Sequence, residues 1–212
     1  KFDVTRTAEM LITDLKGDYL YQGGKEYIII EDEDNHSERI PINFASSGQQ
    51  EVLWLLNQLY ILMLKKEKAF VIIEEPEAHL YPKLQNEVVK FISYFANINS
   101  SSILITTHSP YILTSINSLY CAGKVLDKNP KYARKVYDII GSNCAITPQN
   151  VTALKINKET ENLNLINEEL QELNTEMIDE ISDSVNEEYM ELYYLLLSEN
   201  DGLQGETDGE KR

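Results

Sequence analysis

The sequence predicts an α/β fold built around a parallel sheet. Two runs of strand length, AFVII (69–73) and SSILITT (101–107), have the apolar, β-branched character of strands buried on both faces of such a sheet. Helical patterns follow each of them, at 83–97 and from 109 onward. Strand, helix, strand, helix is the order that lays parallel strands side by side.

Taken in order, TAEMLITDL (7–15) suits a short helix. GDYLYQGGKEYIII (17–30) is two strand-like runs around Gln22-Gly23-Gly24-Lys25, a hairpin signal. EDEDNHSE (31–38) reads as a polar loop and IPINF (40–44) as a third strand. From Gly48 the period changes. Val52, Leu55, Leu56, Leu59, Leu62 and Met63 mark one face of a long helix, with Ser46 or Ser47 at its N-cap. KLQNEVVKFISYFAN (83–97) follows Pro82 as a helix, and SPYILTSI (109–116) opens another with Pro110 in its first turn. SLYCAGKVL (118–126) reads as a third core strand.

Beyond Asn129-Pro130, KYARKVYDIIG is a short helix, and VTALKINKE and NLNLIN alternate like strands. EMIDEISDSVNEEYMELYYLLLSE (176–199) is a long acidic amphipathic helix, its apolar stripe more suited to packing on the chain's own sheet than on a partner. The final residues read as a frayed tail. The resulting division is a β-rich segment at 1–44, a central lobe at 45–126 and an acidic extension at 127–212.

Composition bounds the function. Of 212 residues, 42% are hydrophobic and 25% charged, which excludes collagen-like and wholly disordered classes. No run of 18 apolar residues is present, so no membrane span and no membrane partner is expected. Cys121 and Cys144 are too few for a disulfide framework, and a reducing, cytoplasmic setting follows. Residues 156–212 hold 17 acidic and three basic side chains, leaving 1–155 with a net charge of only −2 out of −16. No basic footprint for nucleic acid exists, so any such contact falls to other parts of a larger protein. The chain begins at Lys1, not Met, as expected of a piece trimmed from something longer.

Three places can carry chemistry. Ala45-Ser46-Ser47-Gly48-Gln49 precedes a helix and offers free backbone amides, hydroxyls and the positive end of the helix dipole, though the same residues make a plain N-cap. Glu74-Glu75 stand abruptly at the carboxyl end of AFVII, where open α/β sheets bind ligands. One carboxylate can hold a hard cation and the next can orient an attacking water. His108 follows the neighbouring strand and can meet a phosphate oxygen or a bound water; alone it would be a structural histidine. His36 is an ordinary loop histidine, and His79 lies beside the carboxylates.

In order and spacing the three together resemble the C-terminal half of the ATP-binding-cassette (ABC) type of P-loop ATPase, firmly over residues 40–125. ASSGQ (45–49) is similar to the signature motif LSGGQ. FVIIEEPEAHLYP is similar to the Walker B strand, catalytic Glu and D-loop, and ITTHSP to the switch-histidine loop. The wording is closest to the soluble branch that includes OLD-family, SMC and recombination-repair ATPases and many AAA-labelled bacterial proteins, some of them anti-phage. The resemblance implies Glu74 at the Mg²⁺ position, Glu75 polarising the hydrolytic water and His108 sensing the γ-phosphate. It implies Ser46, Ser47, Gly48 and Gln49 against ATP on a second subunit, and Ala78 and His79 in a D-loop at the interface of a head-to-tail dimer. ATP and Mg²⁺ are the implied cofactors. Glu74 stands where Asp is usual, and Ser47 replaces a Gly.

The phosphate-cradling pattern G-x-x-x-x-G-K-[ST] is absent. Gly24-Lys25 and Gly123-Lys124 are the only Gly-Lys pairs; they are followed by Glu26 and Val125, and the pattern's first Gly would fall at Tyr19 or Ser118. The implied partner is therefore an N-terminal Walker A lobe, in the same protein or another chain. The alternative is a nucleotide-independent interaction lobe with a degenerate site. An OLD-type nuclease is the weakest reading for the chain itself, because 126–212 are too short for that domain and lack its glycine-flanked Glu and paired Asp; a separate nuclease partner stays open.

Overall fold

The computed structural model describes residues 17–31, 37–156, 163–167, 172–174 and 187–192. Those up to Leu173 form one compact unit, and those from Asn174 belong to a second.

The first unit opens with an antiparallel sheet of β1 (Asp18–Gln22), β2 (Lys25–Glu31) and β3 (Ser37–Pro41). Gly23 and Gly24 both have positive φ, at 60° and 76°, so a two-residue turn whose twist suits the strands closes the β1–β2 hairpin. The expected strand at 40–44 is displaced. Pro41 ends β3, having no N–H to continue a ladder, and Ile42–Phe44 form one 3₁₀ turn.

Helix α1 (Ser47–Lys65) follows and buries Val52, Leu56, Leu59 and Met63 of the anticipated stripe, with Leu53 beside them. β4 (Phe70–Glu74) and β5 (Ser102–Thr106) pair in parallel, joined through α2 (Pro82–Asn99). Among the described residues this sheet has two strands. Ile73 belongs to the buried core, which also holds Val88, Phe91, Ile92 and Phe95 of α2, and Val71, Ile103 and Ile105 pack against that core from the same sheet face. The other face is open: Phe70 is 67% exposed, Ile72 57% and Leu104 47%. Burial on both faces, as the apolar runs suggested, is therefore not met among the described residues.

The expected strand at 118–126 is instead the second half of α3 (Pro110–Lys128). Ile112, Leu113, Leu119, Tyr120, Ala122 and Gly123 keep a helical period along its buried face. A 3₁₀ turn at Pro130–Tyr132 leads into α4 (Ala133–Ile140), whose Val136 and Ile140 reach the same core. Short antiparallel pairs follow, β6 (Leu154–Lys155) with β7 (Leu163–Asn164) and β8 (Ile166–Asn167) with β9 (Glu172–Leu173). The Asn117 side chain anchors β9 to α3 through two bonds with the Leu173 backbone.

In the second unit residues 187–192 are helical. The rest of the acidic helix expected at 176–199, like the helix at 7–15, lies outside the described residues. Among the described residues no helix is long and apolar enough to cross a membrane.

Candidate functional site

The parallel register decides what meets at the carboxyl edge of the sheet. Glu74 pairs with Thr106, and the Glu75 N–H donates to the Thr106 carbonyl at 2.8 Å. The residues that follow β4 and β5 therefore leave the sheet side by side. Glu75 turns the chain sharply, with φ of 46° in the left-handed region, and His79 does so again at 58°. Non-glycine residues there are uncommon and cluster at functional sites. The turn between them is closed by Ala78 N–H to the Glu75 carbonyl and Leu80 N–H to the Glu77 carbonyl.

This turn brings His108 over the carboxylates. Its Nδ1 lies 3.5 Å from Glu75 Oε1 and 3.6 Å from Glu77 Oε1. Glu75 and His108 remain largely open to solvent, whereas the Glu77 side chain is only 5% exposed. Glu77 Oε1 accepts from the Thr107 hydroxyl at 2.6 Å and from the His108 backbone N–H at 3.0 Å. Ser109, buried, donates to Gln85 at 2.7 Å, and Gln85 donates in turn to the Leu80 carbonyl. The turn after β4 and the loop after β5 are thus stitched together from both ends.

The Ser46–Gln49 turn is a complete capping box. Ser46 Oγ accepts from the Gln49 N–H, and the Gln49 side chain accepts from the Ser46 N–H. Gly48 packs directly on the turn after β4: a Cβ there would stand 2.5 Å from the His79 carbonyl oxygen. Ser47 is exposed in the first turn of α1. His79 Nε2 lies 3.7 Å from Glu51, an exposed pair that contributes little.

The nine residues singled out in the sequence fall into two neighbouring sets. Glu74, Glu75 and His108 gather at the strand ends. Ser46, Ser47, Gly48 and Gln49 form the start of α1, packed on the turn that carries Ala78 and His79. Between α1 and the strand end runs an open groove of about 700 Å³, lined by Gln50, Glu51, Trp54, Glu74, Glu75 and Ala78 among others. Glu74 shares the open sheet face with Phe70 and Ile72, since alternate strand residues point the same way. Among the described residues no group of three or more His, Cys, Asp or Glu side chains is arranged so that it could hold a metal ion by itself. A cation at Glu74 would take its remaining oxygens from phosphate and water, which is how Mg²⁺ is ordinarily bound, so the residues fit it.

Sequence reasoning missed Glu77, Thr107 and Gln85. A glutamate after proline in a charged stretch reads as solvated, and only the approach of the two loops buries it.

A family described as AAA ATPase domain matches residues 7–113, about half of the chain. Protein ea59 of Escherichia phage lambda is 28% identical over 113 residues, covering 52% of this chain and 21% of ea59. The uncharacterized protein MJ1542 of Methanocaldococcus jannaschii is 29% identical over 103 residues, 49% of this chain and 12% of its own length. The chain thus spans a small part of these relatives.

Proposed function

The chain belongs to the AAA ATPase domain family, whose members are nucleotide-binding, ATPase-type domains, and from that premise we propose that it is the C-terminal lobe of an ABC-type ATPase. The observation that carries this reading is the convergence of Glu75 and His108, 3.5 Å apart, at the ends of two paired parallel strands.

Glu75 orients the attacking water and accepts its proton, and His108 contacts the terminal phosphate. Glu74 would hold Mg²⁺, which would supply neutralisation of the phosphate charge. The Ser46 and Ser47 hydroxyls and the Gly48 amide face ATP on a second copy, Gln49 supports that loop through the capping box, and Ala78 and His79 lie at that dimer interface. Phosphoryl transfer needs chiefly such positioning and charge neutralisation.

The phosphate loop comes from a second lobe. The open face of Phe70, Ile72 and Leu104 supports this, because parallel strands are ordinarily covered on both faces. A soluble head-to-tail homodimer of OLD or SMC type, serving DNA repair or anti-phage defence through the rest of the protein, is the fuller form of the proposal.

The test is Glu75→Gln in the chain assayed with its phosphate-loop lobe. ATP binding should persist and turnover should vanish. Undiminished hydrolysis would remove Glu75 from the mechanism. Failure of Mg-ATP to protect the assembled protein from heat or proteolysis would favour an interaction lobe without nucleotide.

A further inference from the structure

We propose that Glu77 is a positioning residue for hydrolysis: its buried carboxylate locks the loop after β5 so that the His108 ring stands against Glu75. This rests on the reading of Glu75 and His108 given above. A carboxylate is rarely buried without a use, because leaving water is costly for a charge. Glu77 is 95% buried at its side chain, and neither lysine nor arginine pairs with it among the described residues.

Its partners all lie on one segment. Oε1 gathers the Thr107 hydroxyl, the His108 N–H and, at 3.6 Å, the His108 ring. Both the backbone and the ring of the switch histidine are thereby referred to one oxygen. That oxygen belongs to the turn which begins at Glu75, two residues earlier. The distance between Glu75 and His108 is then set inside one rigid unit and not by two independent loops. Among the described residues the buried Oε2 has no hydrogen-bond partner, so the anchoring runs through Oε1. Thr107 extends the clamp, since its hydroxyl also accepts from the Ser109 N–H at 3.0 Å, next to the start of α3. A surface carboxylate would hold these donors less firmly, because water would compete for them.

The anchor needs an acceptor oxygen at the right reach, not a charge. Glu77→Gln keeps Oε1 and should stay within about threefold of the parent kcat, whereas Glu77→Ala should lower kcat by about tenfold or more with KM for ATP little changed. The deciding measurement is a double-mutant cycle with His108→Ala in the assembled ATPase. If Glu77 acts through His108, Glu77→Ala costs little more once the ring is gone. An equal loss in both backgrounds, or an effect on KM alone, overturns the proposal. Should Glu77→Ala not fold, Thr107→Val removes one donor of the clamp and takes its place in the cycle.

Hydrogen exchange gives an independent readout on the chain itself. The His108 amide should exchange about tenfold faster in Glu77→Ala and near the parent rate in Glu77→Gln. An unchanged rate in Glu77→Ala also overturns the proposal. Glu75→Gln run alongside separates the two ideas. If turnover survives that change, the hydrolytic reading fails; if turnover is lost there yet intact in Glu77→Ala, only the clamp fails.

Discussion

Gly48→Ala is the sharpest probe of how the start of α1 meets the turn after β4. Gly48 is the second residue of the helix and is buried. The added Cβ would stand 2.5 Å from the His79 carbonyl oxygen, 3.3 Å from the carbonyl carbon and 3.2 Å from Leu80 Cδ2. Two of these three contacts are backbone, so no side-chain rotation relieves them. An ordinary carbon–oxygen contact needs about 3.3 Å, so the turn must retreat by roughly 0.8 Å. Overpacking of this kind costs about 1–3 kcal/mol. Against it, alanine is the better helix former by up to about 1 kcal/mol. The clash wins, leaving a net loss of about 1–2 kcal/mol. For a chain of this size that lowers Tm by roughly 2–8 °C. Thermal unfolding followed by circular dichroism measures it. Ser47→Ala, at an exposed neighbour, should move Tm by no more than about 2 °C. A Gly48→Ala protein with the parent Tm or a higher one would refute the reasoning, because it would mean the turn yields freely and the helix gain decides.

Two further outcomes follow from the geometry. Ser46→Ala removes the oxygen that caps the Gln49 N–H and should cost about 1 kcal/mol, seen as a lower urea midpoint at unchanged m; Ser46→Asp should recover most of it. Burial pushes the Cys144 thiol up to about 11 from 9.0, while Cys121 is exposed. A thiol reagent at pH 8 should therefore label Cys121 at once and Cys144 only on unfolding. Across pH 9–11 the unfolded chain gives up the Cys144 proton while the folded chain keeps it. Stability from this group is thus full below pH 9 and is lost toward pH 11. Cys144→Ala should flatten that fall in calorimetric Tm; an unchanged slope would show that the thiol is not the group responsible.

Local physics was legible wherever a pattern was long and sharply bounded. The stripe of α1, Pro82 and Pro110 opening α2 and α3, the Gly23-Gly24 turn and the two β-branched runs all announce their elements, because period and capping are short-range properties. SLYCAGKVL did not, because a short apolar run has no period of its own to separate strand from buried helix. It joined α3 because Leu119, Ala122 and Gly123 extend the face begun by Ile112 and Leu113. The IPINF stretch went the other way: its proline reads as extended chain, yet Pro41 is where pairing stops.

The candidate residues themselves stood out by type and place: Glu74 and Glu75 at the abrupt end of an apolar strand, His108 at the end of the next, and Ser46 to Gln49 before a helix. The sequence alone could determine that much, since it depends on which side chains follow which elements. Only the tertiary structure could decide that β4 and β5 are direct neighbours in a register that sets Glu75 beside Thr106, that Gly48 touches the His79 carbonyl, and that Glu77 is buried between two loops. Those are contacts between residues some 30 positions apart. Their existence depends on strand pairing and on the shape of the packed core, neither of which any local stretch of sequence encodes.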